Sequence, residues 1–80
     1  MPRRFRSEDE GKHVVNADGD EIGTVERISE NTAHVTPAAN LSQQMRRRLG
    51  WEAEDEETYE LPHDRVDAIT ADEIRLSENA

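Results

Sequence analysis

The sequence predicts a mainly β fold, a small antiparallel β-barrel of five to six short strands with one short helix at about residues 40–49. Three observations carry that prediction. Short runs rich in Val, Ile, Thr and Tyr alternate with Gly, Pro, Asn and Asp punctuation. An Asp18-Gly19 pair joins the first two runs, the strongest short-range hairpin signal a sequence offers. The βαβ spacing of a parallel sheet is absent, and closing an antiparallel sheet on itself hides strand edges in few residues.

Residues 1–10 mix three arginines, Phe5 and three acids without periodicity and read as a flexible leader. His13-Val14-Val15-Asn16 is the first strand. The turn at Asp18 and Gly19 leads into a second strand over Glu21 to Ile28, in which Ile22, Val25 and Ile28 do not alternate strictly. Gly23 is therefore expected to mark a bulge or a close backbone approach. Asn31 turns the chain into Thr32–Thr36, where Ala33 and Val35 share one face and His34 takes the other, and Pro37 ends the strand. Asn40 and Gln43 resemble the capping pair of a helix that stacks Leu41, Met45 and Leu49 at i, i+4 and i+8, with Arg46, Arg47 and Arg48 in its last turn and Gly50 as its stop. Glu52–Glu57 hold five acids in six positions and read as a solvated loop. Strand character returns at Thr58–Leu61, Val66–Ile69 and Glu73–Leu76. The domain is expected over residues 11–77, with a tail at 78–80.

Ten basic residues against nineteen acids leave a net charge of −9. Leu, Ile, Val and Phe total only 14 of 80 residues, a composition that with this charge ordinarily warns of disorder. The basic residues answer part of the warning, being nine arginines and the single Lys12. Excess acid with lysine nearly absent fits a protein working in multimolar salt, where a screening length of about 3 Å lets many carboxylates coexist and apolar burial is strengthened. A high-salt cytoplasm is the expected location. No run approaches the roughly 18 apolar residues of a membrane helix, and Met1 to Arg6 lack the apolar core of a secretory signal. With no cysteine, disulfides and thiolate sites are excluded.

The stretch Gly11 to Val25, with its strand, its Asp18-Gly19 turn and then Ile22-Gly23-Thr24-Val25, resembles the opening of PRC-barrel domains. That family is named for the photosynthetic reaction centre H subunit and includes the C-terminal part of a ribosome maturation factor. The later stretch resembles small stand-alone haloarchaeal members, through Leu49-Gly50-Trp51, the acidic loop, Tyr59 and Asp72 to Leu76. The likeness covers roughly residues 11–77, and the helix departs from the simplest barrels. It implies a binding module that associates with itself or with other proteins, including other PRC-barrel or division proteins, and in some archaea a link to cell division.

Catalysis has no visible residues in the sequence. His13, His34 and His63 are 21 and 29 residues apart with no partner at ligand spacing, so they read as strand-face histidines and no metal is expected. Asp18-Gly19-Asp20 lacks the further ligands of a calcium loop and reads as a structural turn with Gly23 beyond it. No serine has a nucleophile motif, no glycine-rich loop cradles phosphate, and no cofactor is expected. The candidate interface is Met45, Arg46, Arg47, Arg48, Leu49 and Trp51, an arginine-plus-aromatic composition suited to protein contact, with a C2 homodimer as its simplest use. Trp51 is either the main filler of the core or an exposed anchor. Arginine clusters beside Phe5 and Trp51 also match the minimal footprint for RNA, so an RNA- or ribosome-associated assembly factor is the alternative, against which the acidic whole-chain charge argues.

Overall fold

Val14 and Val15, both buried, form the short strand β1 (His13–Val15), and the chain reverses through Gly19 at φ +89° into β2 (Glu21–Ser29). Asn16 organises that turn: its Oδ1 accepts from the backbone N–H groups of Asp18 and Asp20, and its own N–H donates to the Asp20 carbonyl. The computed structural model describes residues 3–52 and 57–77. Its remaining elements are β3 (Thr32–Pro37), α1 (Gln43–Leu49), β4 (Tyr59–Pro62), β5 (Val66–Ile69) and β6 (Glu73–Leu76), with single 3₁₀ turns at Ser7–Asp9 and His63–Arg65. Most of the expected solvated loop (53–56) and the tail at 78–80 lie outside the described residues.

Among the described residues the fold is mainly β, with six strands in one sheet ordered β4-β3-β2-β1-β6-β5 and curled into a half-barrel, and one short helix. Every neighbouring pair is antiparallel except β1 with β6, which run parallel, so the sheet is mixed. The cause lies at Pro62 and the 3₁₀ turn after it. They carry the chain from β4 to β5 without reversing its direction, and the hairpin that follows sends β6 alongside β1 in the same sense.

Three bulges supply the curvature. The pairing register slips at Ile22, at Glu26 and at Asp67, each the extra residue on its strand. The first two explain why Ile22, Val25 and Ile28 all face inward without a period of two. Gly23 sits where β2 lies close against β3: a Cβ there would lie 2.5 Å from the Thr36 carbonyl oxygen and 2.6 Å from Val35 Cγ1. The glycine is required by proximity. Between β2 and β3, Glu30 and Asn31 both adopt left-handed backbone, φ 50° and 61°, the two-residue turn that matches strand twist.

Two sequence expectations are corrected. The helix starts later than 40, at Gln43, because Ser42 and not Asn40 is the cap, its Oγ accepting from the Met45 N–H at 3.1 Å. The leader expected over 1–10 is folded from Arg3 onward: Phe5 is 8% exposed and belongs to the core cluster. Its N–H donates to Asn31 Oδ1, and its ring meets His63 edge-on at 5.3 Å. Behind it Asp9, fully buried, accepts from Arg3, from Lys12 Nζ and from the Arg6 N–H. Lys12 Nζ also donates to the Thr70 carbonyl at 2.7 Å, tying this strap to the β5–β6 turn. Burying one large aromatic in a chain this poor in apolar residues, together with a fully paired carboxylate, outweighs the charge that makes the segment look solvated.

Candidate interaction surface

The site expected around Met45 to Trp51 is built by the way α1 ends. Gly50 takes the left-handed conformation at φ +76°, its N–H donates to the Arg47 carbonyl, and the Trp51 N–H reaches back to the Arg46 carbonyl at 2.8 Å. This paired closure reverses the chain within two residues. It turns Trp51 inward, where the indole is 2% exposed and lies over Tyr59 with ring centres 5.4 Å apart and planes 14° from parallel. Leu49 is buried in the same cluster and Met45 is half-buried against it.

The six candidate residues therefore divide. Leu49 and Trp51 are core, which closes the alternative of an exposed anchor. Arg46 is half-buried and its Nη1 donates to the Trp51 carbonyl at 3.3 Å, so it serves the helix end. Arg47 and Arg48 are exposed; the nearest acid to Arg47 among the described residues is Glu52, 3.8 Å away, both side chains being largely in water. What α1 presents outward is thus cationic, with no large aromatic.

Beside Trp51 a cleft of about 530 Å³ is edged by Arg27, His34 and Glu60, which stand opposite one another across β2, β3 and β4. The Tyr59 hydroxyl, buried next to it, has no hydrogen-bond partner among the described residues. The other two histidines are spread elsewhere: His13 Nδ1 lies 2.9 Å from Glu21 Oε1, and His63 Nε2 is 2.6 Å from the Arg3 carbonyl. Among the described residues no three His, Cys, Asp or Glu gather as a metal set would require. No helix of the described residues is long and apolar enough to cross a membrane.

Sequence reasoning missed the Arg3–Asp9–Lys12 cluster and the role of Phe5. The available signals were the one phenylalanine set among charges and the one lysine in an arginine-rich chain.

Fold and surface together define a small mainly β half-barrel with a single arginine-ended helix. The chain belongs to the family described as "Family of unknown function (DUF8593)", whose family model matches residues 5–76. The match begins at Phe5, the residue that anchors the strap. No curated protein matches the chain.

Proposed function

We propose that this chain is a non-enzymatic adaptor that binds proteins, self-association included, and works in a high-salt cytoplasm. The observation that carries the reading is the exposure of Arg47 and Arg48 side by side on the last turn of α1, on a chain whose acids outnumber its bases nineteen to ten. Two exposed guanidinium groups on the last turn of a short, doubly capped helix offer bidentate donors to carboxylates. The salt reading rests on nine arginines with one lysine among those nineteen acids. A place in archaeal cell division rests on the PRC-barrel resemblance alone.

The test is capture from molar-salt lysate with the tagged wild-type chain and with an Arg47→Glu/Arg48→Glu variant, each with and without nuclease, followed by reconstitution of any partner from purified components. A protein retained by the wild type, lost by the variant and indifferent to nuclease supports the adaptor. Ribosomal proteins lost on nuclease treatment support the RNA-associated alternative, whose affinity would also fall steeply with salt. Identical capture by both chains overturns the assignment of the surface to α1.

A further inference from the structure

The arginine end of α1 has a counterpart at the other end of the same helix. A groove of about 290 Å³ lies between the start of β2 and the entry to α1, with Ile22, Leu41 and Met45 among its lining and the exposed Asp20 and Glu21 on its rim. Leu41 and Met45 are only partly buried against the core, so each keeps apolar surface in reach of solvent. The rim is fixed in place because Asn16 holds the turn through backbone groups alone, leaving the Asp20 carboxylate uncommitted to it. Glu21 is shared with His13.

A groove with an apolar floor and an acidic rim selects a long cationic side chain, whose methylene stem covers the floor while its head meets the carboxylates. Arginine suits it best, since the planar guanidinium is weakly hydrated and pairs in two places at once. The same chain displays Arg47 and Arg48 on the last turn of α1, two and three residues beyond Met45.

A symmetric contact through the helix end is disfavoured. It would set these arginines against their own copies, and with Leu49 and Trp51 inside the core it has only Met45 left as an apolar contact. We infer that the groove receives the Arg47–Arg48 end of α1 from a second copy of this chain, in a head-to-tail contact. The inference rests on the adaptor reading and names one of its partners. A contact between two different patches propagates, giving rings where its rotation closes and open chains where it does not.

The test uses full-length protein and two variants, each carrying one intact patch. Arg47→Glu/Arg48→Glu keeps the groove, and Asp20→Arg/Glu21→Arg keeps the helix end. Mass is followed by light scattering over a concentration series, and circular dichroism verifies the fold. The milder pairs Arg47→Gln/Arg48→Gln and Asp20→Asn/Glu21→Gln replace any variant that fails to fold. The wild type is expected to grow beyond a dimer or close into a ring and each variant alone to stay monomeric; an equimolar mixture of the two neutral pairs should stop at a one-to-one dimer, whereas the two charge-reversed pairs, whose altered patches complement each other, should grow again when mixed. Wild type that is monomeric throughout, or a dimer that both variants retain, overturns the inference. Either result leaves the adaptor reading to stand or fall on its own capture experiment.

Discussion

The guanidinium of Arg3 closes on the carboxylate of Asp9 through two hydrogen bonds, Nη1 to Oδ2 at 2.9 Å and Nη2 to Oδ1 at 2.8 Å. Lys12 Nζ adds a third contact to Oδ1 at 2.7 Å. Removing the charge with Asp9→Asn leaves two cations facing a neutral amide inside the strap. The expected loss is about 2–3 kcal/mol, below the full cost of breaking a buried pair because Arg3 keeps contact with water. Urea denaturation of the two proteins in the same salt checks it, and an unchanged midpoint would refute the structural role given to Asp9.

The same carboxyl predicts an acid limb of stability. The hydrogen bonds from Arg3 hold it well below the usual carboxylate range; burial opposes that, and the Lys12 and Arg6 donors add to it. A folded-state value lowered from the unfolded one gives stability that is fully present above the ordinary value near ~3.9 and is lost as pH falls through it toward the folded value. Thermal midpoints between about pH 6 and pH 2 should therefore fall more steeply for wild type than for Asp9→Asn, the difference between the curves isolating this group from the other carboxylates.

Gly23→Ala should cost about 2 kcal/mol, because the new methyl meets the Thr36 carbonyl, a backbone atom that moves only if β3 moves. Amide exchange across the β2–β3 ladder should quicken before the rest of the sheet. Tolerance of alanine with unchanged exchange would count against this close approach.

Trp51→Ala should destabilise the fold by about 3 kcal/mol or more, since it removes the buried indole from its stack on Tyr59. As the sole tryptophan, Trp51 also gives a direct readout. Its emission should be that of a buried indole and should move to longer wavelength on unfolding. Emission already typical of water in the native state would place the side chain outside the core.

Asn31 does two things, turning the chain at φ 61° and accepting from the Phe5 N–H at 3.0 Å. Asn31→Gly keeps the turn and loses the acceptor, for about 1 kcal/mol. Asn31→Ala also pays the left-handed backbone cost, about 1 kcal/mol more. Faster exchange at the Phe5 amide in both variants, with the larger stability loss in alanine, would separate the two roles; equal losses would refute the division.

Much of the fold was legible because turn chemistry is local. Asp18-Gly19, the broken alternation at Ile22, Val25 and Ile28, and Pro37 each announced a turn, a bend or a strand end within a few residues of where it occurs. Parallel pairing of β1 with β6 was not, because it depends on residues about 60 positions apart and on one turn failing to reverse the chain. The strap was misread for a related reason. A carboxylate looks solvated in a linear reading, and only its partners Arg3 and Lys12, converging in three dimensions, make its burial tolerable. For the candidate surface, the sequence located α1 and its arginines but left Trp51 open, and the paired closure at Gly50 decides that it turns inward.

The chain has one lysine, and the Lys12 side chain is 12% exposed, its ammonium held between Asp9 and the Thr70 carbonyl. An amine-directed reagent therefore meets no freely available lysine on the folded molecule, and acylation at Lys12 must wait for the strap to lift. Its labelling rate, read on the peptide that carries Lys12 so that an α-amine does not contribute, is a built-in clock for that local opening.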